Sequence, residues 1–110
     1  MTWLYPIGYD HAMNGFIRTV EFDAWLKDLR DPIGKARILA RVRSAEQGNF
    51  GDCAPVGEGV FEMRIHAGPG YRVYYGRMGA RVYLLLCAGN KSTQRRDIKQ
   101  AIALFKKLER

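Results

Sequence analysis

The chain has 110 residues, with 18 Lys and Arg against 11 Asp and Glu, and a net charge of +7 at pH 7. This length is typical of one domain, and a 47% share of hydrophobic residues argues against disorder along the whole chain. Two cysteines do not make a disulfide framework, so we expect a reducing, cytoplasmic setting. No apolar run reaches the roughly 18 residues that a membrane span needs, and the first residues do not resemble a signal peptide.

Two helices are predicted in the first half of the chain. Residues 1–12 show neither a helical nor a strand period, and we expect them to be an extension of a domain that spans residues 13–110. After a short strand at 16–18, Thr19 is typical of a helix N-cap, and Asp31 followed by Pro32 predicts the start of a second helix. Apolar residues at helical spacing predict the buried stripes of the two helices: Phe22, Trp25, Leu26 and Leu29 in the first, and Ile33, Ala36, Leu39, Ala40 and Val42 in the second.

The second half predicts a sheet followed by a last helix. Residues 49–59 are rich in Gly and Asp and predict a loop, without the flanking strand and helix of a nucleotide-binding motif. Alternation at 60–66 and 71–75 predicts two strands joined by a Gly-Pro-Gly turn, and the apolar run 82–87 predicts a central strand. Residues 94–108 predict an amphipathic helix. The order β-α-α-β-β-β-α predicts an α+β domain in which helices pack on an antiparallel-rich sheet.

The excess positive charge lies entirely in residues 53–110, which carry eleven basic and four acidic side chains. This asymmetry is typical of a protein with a nucleic-acid partner. It is equally typical of a solvated basic face that has no specific partner.

Two neighbouring predicted strands place five polar side chains on one face, which we expect to face solvent: Glu62, Arg64, His66, Arg72 and Tyr74. Arginines clamp phosphates, a tyrosine stacks on an unpaired base, and His or Glu accepts a proton. Lys91, after the central strand, adds a further cation. These groups suffice for RNA cleavage without a metal or cofactor. The alternatives are a spectator histidine, arginines that only pair with Glu62, and tyrosines that only pack in the core.

Several linked motifs carry a family resemblance. They are Glu-Phe-x-x-Trp-Leu at 21–26, Gly-Asn-Phe-Gly-Asp at 48–52, Pro-Val-Gly-x-Gly at 55–59, Glu-x-Arg-Ile-His at 62–66, Gly-Pro-Gly-Tyr-Arg-Val-Tyr at 68–74 and Gly-x-Lys-Ser-x-Gln at 89–94. From about Met13 to the C-terminus the chain closely resembles the HigB-like branch of the RelE/ParE toxin superfamily, the addiction-module killer proteins.

The resemblance implies a RelE-like fold and the toxin of a bacterial type II toxin–antitoxin system. Such toxins are usually ribosome-dependent mRNA endonucleases that inhibit translation. A cognate antitoxin, commonly a helix-turn-helix DNA-binding protein, neutralises them, and only the complex of the two reaches operator DNA. We expect no membrane partner.

The resemblance also implies which residues form the site. Arg72 matches the family arginine that contacts the scissile phosphate, and Arg64 and Lys91 fall at or near further basic positions. His66 is a candidate base from its face of the strand alone. We expect four more side chains to bind RNA: Tyr74, Arg95, Arg96 and Lys99.

The sequence departs from the RelE pattern near its C-terminus, because residues 94–110 contain no tyrosine that could serve as the RelE-type catalytic one. Two other interpretations therefore stay open. One is a ParE-type toxin that binds and poisons DNA gyrase without cutting nucleic acid. The other is an inactive member that only binds its antitoxin.

Overall fold

A five-stranded mixed sheet lies between two helical layers in the computed structural model, which describes residues 13–108. The predicted extension, residues 1–12, lies outside the described residues. The elements are β1 (Gly15–Arg18), α1 (Val20–Asp28), α2 (Pro32–Glu46), β2 (Cys53–Gly57), β3 (Val60–Ile65), β4 (Tyr71–Arg77), β5 (Val82–Asn90), a 3-10 turn (Lys91–Thr93) and α3 (Gln94–Leu108). The predicted α+β class is confirmed, and the architecture is compatible with a RelE-like fold.

The strands follow the order β1-β5-β4-β3-β2, and only the β1–β5 pair is parallel. β5 lies inside the sheet, and its residues are divided between two hydrophobic cores on the two faces, as its continuous apolar run predicts. On one face the sheet packs against Phe22 of α1 and Ile38 of α2. On the other face it packs against Ala101 and Phe105 of α3. No helix within residues 13–108 is long and apolar enough to cross a membrane.

Local capping fixes the starts of the first two helices where the sequence predicts them. The Thr19 hydroxyl accepts a hydrogen bond from the amide of Phe22 at 3.0 Å, and it donates to the carbonyl of Leu86 in β5. The Asp31 carboxylate accepts from the amide of Gly34, and Pro32 occupies the first turn of α2. These caps satisfy amides that have no partner within the helix, which is why they mark helix starts in the sequence.

Two details differ from the sequence-based expectation. Residues 53–57, predicted as loop, form the edge strand β2 paired with β3, with a register irregularity between Pro55 and Gly57. Proline is tolerated there because an edge strand leaves one row of amides unpaired. Most of the predicted buried stripe of α2 is also wrong: Ile33 is 70% exposed, and the helix buries Gly34, Ile38 and Ala45 together with Val42, which the prediction had included. The aromatic ring of Tyr71 approaches Gly34, which draws that side of α2 onto the sheet.

Candidate functional site

A cleft of about 520 Å³ opens where β3 and β4 meet their connecting turn. Four predicted catalytic side chains border this cleft, which we call the basic cleft: Arg64, His66, Arg72 and Lys91. Arg64 and Arg72 are directly paired residues of the two antiparallel strands, so the sheet register sets their side chains next to each other. Lys91 enters from the 3-10 turn after β5. The structure therefore brings together residues that are up to 27 positions apart in the sequence.

A buried carboxylate lies behind the two arginines. Glu62 is fully buried, so the expectation that it faces solvent is wrong. Its Oε1 accepts a hydrogen bond from Nε of Arg64 at 3.1 Å, and its Oε2 accepts from the Tyr74 hydroxyl at 3.0 Å and from Nε2 of Gln94 at 2.8 Å. The hydrogen bond that Arg64 donates to Glu62 raises the pKa of Arg64 above its ordinary value. Since like charges that face each other across strands repel, this carboxylate stabilises the arginine pair.

Arg72 is the most enclosed cation of the basic cleft. Its side chain is only 14% exposed, and its Nε lies 3.5 Å from Oε2 of Glu62. Its Nη1 donates to the carbonyl of Gly70 at 3.0 Å, which holds the guanidinium against the turn. Among residues 13–108, Nε of Arg72 is the only buried side-chain nitrogen or oxygen without a hydrogen-bond partner. The guanidinium is thus fixed in orientation while part of its donor capacity is unused.

His66 forms a dyad with Asp52, a residue that was not predicted to be part of the site. The His66 ring is 76% exposed, and its Nε2 lies 2.7 Å from Oδ2 of Asp52. Oδ1 of Asp52 accepts from Nη1 of Arg64 at 3.2 Å. The hydrogen bond to His66 is the main reason that the pKa of Asp52 lies below its usual value, and the charge of Arg64 lowers the pKa further. A neutral His66 ring that donates through Nε2 leaves Nδ1 with a free lone pair, which suits a proton acceptor.

The predicted RNA-binding residues separate into two groups. Tyr74 is fully buried beneath α3, so the expectation that its ring stacks on a base is wrong. Burial and its hydrogen bond to Glu62 raise the pKa of Tyr74 above its ordinary value. The other three predicted residues line a second groove of about 420 Å³ together with Ser92 and Thr93: Arg95, Arg96 and Lys99. The 3-10 turn borders both openings, because Lys91 lines the basic cleft and Ser92 lines this groove.

The sequence carried a signal for some of the residues that were missed. Asp52 and Gln94 close two of the motifs that define the family resemblance, although residue type alone gives them no role. Asp97 had no such signal. It is buried at the start of α3, where its Oδ2 accepts a hydrogen bond from the Thr93 hydroxyl and contacts the backbone of Gly89. An acidic residue in the first turn complements the helix dipole and fixes the end of β5 against α3.

The fold and the site together define a small α+β protein with a cationic cleft suited to an anionic ligand. Residues 21–107 match the family described as Phage derived protein Gp49-like (DUF891), and the chain belongs to this family. A protein of Haemophilus influenzae (strain ATCC 51907 / DSM 11121 / KW20 / Rd), described as an uncharacterized protein, is 48% identical over 90 residues, which are 82% of this chain and 91% of the relative. No solved structure matches the chain.

The Gp49-like family belongs to the RelE/HigB-like toxin superfamily and is associated with the toxins of toxin–antitoxin systems. The superfamily predicted from the motifs is therefore confirmed. Membership of a toxin family also implies a cognate antitoxin as a partner. The HigB-like branch stays a prediction.

Proposed function

We propose that this protein is the HigB-like toxin of a type II toxin–antitoxin system and acts in the cytoplasm as a ribosome-dependent mRNA endonuclease. One observation carries the proposal: two register-paired arginines, Lys91 and His66, which is paired with Asp52, border a single open cleft. A phosphodiester is the ligand that such a set recognises, because guanidinium groups pair bidentately with its oxygens. The family membership supports a toxin with an intracellular macromolecular target.

The groups at the basic cleft support in-line cleavage without a metal. His66 takes the proton of the 2′-hydroxyl at Nδ1, and the resulting oxyanion attacks the adjacent phosphorus. Arg64 and Arg72 stabilise the charge that builds on the non-bridging oxygens. The bond from phosphorus to the 5′ oxygen breaks, the Lys91 ammonium donates the proton that this oxygen needs, and a 2′,3′-cyclic phosphate remains. Asp52 keeps the His66 ring in the orientation and tautomer that the first step requires.

The groove beside the cleft extends the cationic surface. Arg95 and Lys99 are exposed at the start of α3, one 3-10 turn away from the basic cleft. A strand of RNA that leaves the cleft past Lys91 meets these side chains, which bind phosphates without reading sequence. The same positive surface suits an acidic segment of the antitoxin, which would cover the cleft and block access to the ribosome. We propose a helix-turn-helix antitoxin, with operator DNA bound only through the complex.

Cleavage of mRNA in the presence of ribosomes tests this function. Purified protein is incubated with a defined mRNA, with and without ribosomes, and new 5′ ends are mapped by primer extension. We expect cuts only with ribosomes, and a loss on the order of 100-fold in His66→Ala, whose exposed side chain is removed without disturbing the core. Lys91→Ala, also exposed, is expected to lose activity as well. Arg43→Ala removes an exposed arginine of α2 outside the cleft and serves as the matched control.

Three outcomes would contradict the proposal in different ways. Cuts on free RNA would overturn the ribosome dependence. Equal activity of His66→Ala and Arg43→Ala would overturn the assignment of the base. No cuts by a preparation that still arrests growth would overturn the nuclease and favour a ParE-type gyrase poison, which a DNA supercoiling assay detects directly.

A further inference from the structure

A further cavity of about 380 Å³, distinct from the groove at the start of α3, lies beside the basic cleft and shares Ile65 and His66 with it. Its remaining lining comes from one side of α2: Arg37, Ala40, Arg41 and Ser44. We call it the α2 pocket. The His66 ring therefore borders two cavities at once, one that carries the paired arginines and one that is walled by a helix. Neither the motifs nor the family match assigns a role to the α2 pocket.

Arg41 builds the wall of this pocket. Its guanidinium donates to the carbonyl of Arg64, to that of Phe50 at 2.9 Å and to that of Asp52 at 3.4 Å. These bonds tie α2 to β3 and to the loop that positions Asp52 beside His66. Since three backbone carbonyls already engage Arg41, its side chain is a structural clamp.

Arg37 lies one helical turn before Arg41, on the same side of α2, and its side chain is exposed. It is therefore placed at the mouth of the α2 pocket, where Ala40 leaves space beside it and Ile65 supplies a buried apolar floor. A guanidinium above an apolar floor is a surface on which a planar ring stacks, and the pocket is large enough for a nucleobase with its ribose.

We propose that the α2 pocket is the nucleobase subsite for the nucleotide next to the phosphate held in the basic cleft, with the base stacked against Arg37. This inference rests on the proposed function, because it needs an RNA strand in the cleft. A ribose whose 2′-hydroxyl faces His66 lies at the border of the two cavities, so its own base points into one of them. The cleft side is occupied by phosphate and cations, whereas the α2 side offers the planar cation and the apolar floor. Because stacking strength differs among the bases, the subsite gives cleavage a modest base preference at that one position.

Arginine substitutions on α2 test the subsite, and the helix supplies its own control. Arg37→Ala and Arg43→Ala remove the same charge from exposed positions of the same helix, but only Arg37 lines the pocket. Cut sites and rates are mapped on ribosome-bound mRNAs that vary each base around a strong site. We expect Arg37→Ala to lower the rate at preferred sites about tenfold and to flatten base preference at one adjacent position. Arg43→Ala should keep the rate and the preference of the unsubstituted protein.

A charge-retaining variant separates stacking from simple attraction to RNA. Arg37→Lys keeps the positive charge but lacks the planar guanidinium, so the stacking subsite predicts the same flattened preference as in Arg37→Ala. Full restoration by Arg37→Lys would overturn the subsite in favour of a purely electrostatic contact. Unchanged cutting by Arg37→Ala, with a loss of antitoxin binding instead, would overturn it in favour of a protein interface.

The binding of short single-stranded RNA keeps this inference distinct from the proposed function. Fluorescent RNA hexamers that differ in one base are titrated with each variant, and anisotropy reports the affinity. If the unsubstituted protein binds with a base preference that Arg37→Ala loses, the subsite stands even where no cleavage is seen. If the protein cuts mRNA but neither cutting nor binding depends on Arg37, the subsite is overturned while the proposed function survives.

Discussion

Replacement of Glu62 by Gln tests whether the buried carboxylate holds the cationic site together. The carboxylate accepts three hydrogen bonds, from Arg64, Tyr74 and Gln94, and it is the nearest counter-ion of the enclosed Arg72. A glutamine has the same shape but only one acceptor oxygen, and its amide group adds donors where donors already converge. At least one buried donor then loses its acceptor, and two neighbouring guanidinium groups lose their shared negative charge.

The size of the effect follows from burial. Glu62 is 1% exposed at its side chain and Arg72 is 14% exposed, so water compensates little of the loss. Removal of one member of a buried ion pair costs about 3–5 kcal/mol, far more than the loss of an exposed pair. With a urea m-value near 1.5 kcal/mol/M, the midpoint of unfolding falls by roughly 2–3 M. A domain whose free energy of unfolding is above about 8 kcal/mol, within the typical range of about 5–15 kcal/mol, still has a measurable transition.

Urea unfolding followed by circular dichroism measures this shift. The matched control is Glu58→Gln, because Glu58 pairs with Lys106 at 3.6 Å and both side chains are 59% exposed, so its midpoint should stay within about 0.5 M. A second substitution, Arg72→Met in the Glu62→Gln background, removes the unpaired buried charge and should recover part of the loss. A shift below about 0.5 M in Glu62→Gln, at an unchanged m-value, would refute the reasoning.

Two further predictions concern stability. Hydrogen bonds from Tyr71 and Gly34 hold the pKa of Asp31 below its ordinary 3.8, so the stability that they give is present above that pH and is lost as the pH falls through the lowered pKa. Asp31→Asn should lower Tm near pH 7, and thermal unfolding should show the difference shrinking as the pH is lowered below 3.8; a constant difference would contradict this. A Cβ on Gly89 would lie 1.8 Å from Oδ2 of Asp97, so Gly89→Ala should cost about 2–3 kcal/mol in urea unfolding, whereas Gly15→Ala, 3.8 Å from its nearest neighbour, should cost under about 1. Equal midpoints for the two variants would count against that contact.

The sequence was sufficient for features that depend on local interactions. Thr19 and Asp31 cap helices through contacts within three residues, and the apolar run of β5 reflects burial on both faces, so each is visible in a short window. The strand β2 was missed because it exists only through pairing with β3, while its own residues, with Pro55 among them, favour a loop. Most of the buried stripe of α2 was missed for a related reason: small Gly34 is buried by the approach of Tyr71 from a distant strand.

The candidate site shows the same division between local and distant information. Period-2 alternation correctly placed Glu62, Arg64, Arg72 and Tyr74 on one face of the sheet. Alternation does not say what covers a face. In the structure α3 packs over part of it, so Glu62 and Tyr74 become buried while Arg64 and Arg72 remain at the cleft. The prediction that Tyr74 stacks on a base was wrong because α3 covers this residue.

The burial of Glu62 under α3 also explains why two adjacent arginines are stable at the basic cleft. Two guanidinium groups side by side on adjacent strands destabilise a sheet unless a counter-charge lies within reach. Asp52, 43% exposed, pairs with Arg64 from the solvent side, but a carboxylate in that position also repels a phosphate. Placed behind the arginines and under α3, Glu62 neutralises their mutual repulsion while their outer edges stay available to an anion. The same burial makes the stability of the fold sensitive to Glu62→Gln. Water cannot reach a buried guanidinium to replace the carboxylate that it has lost.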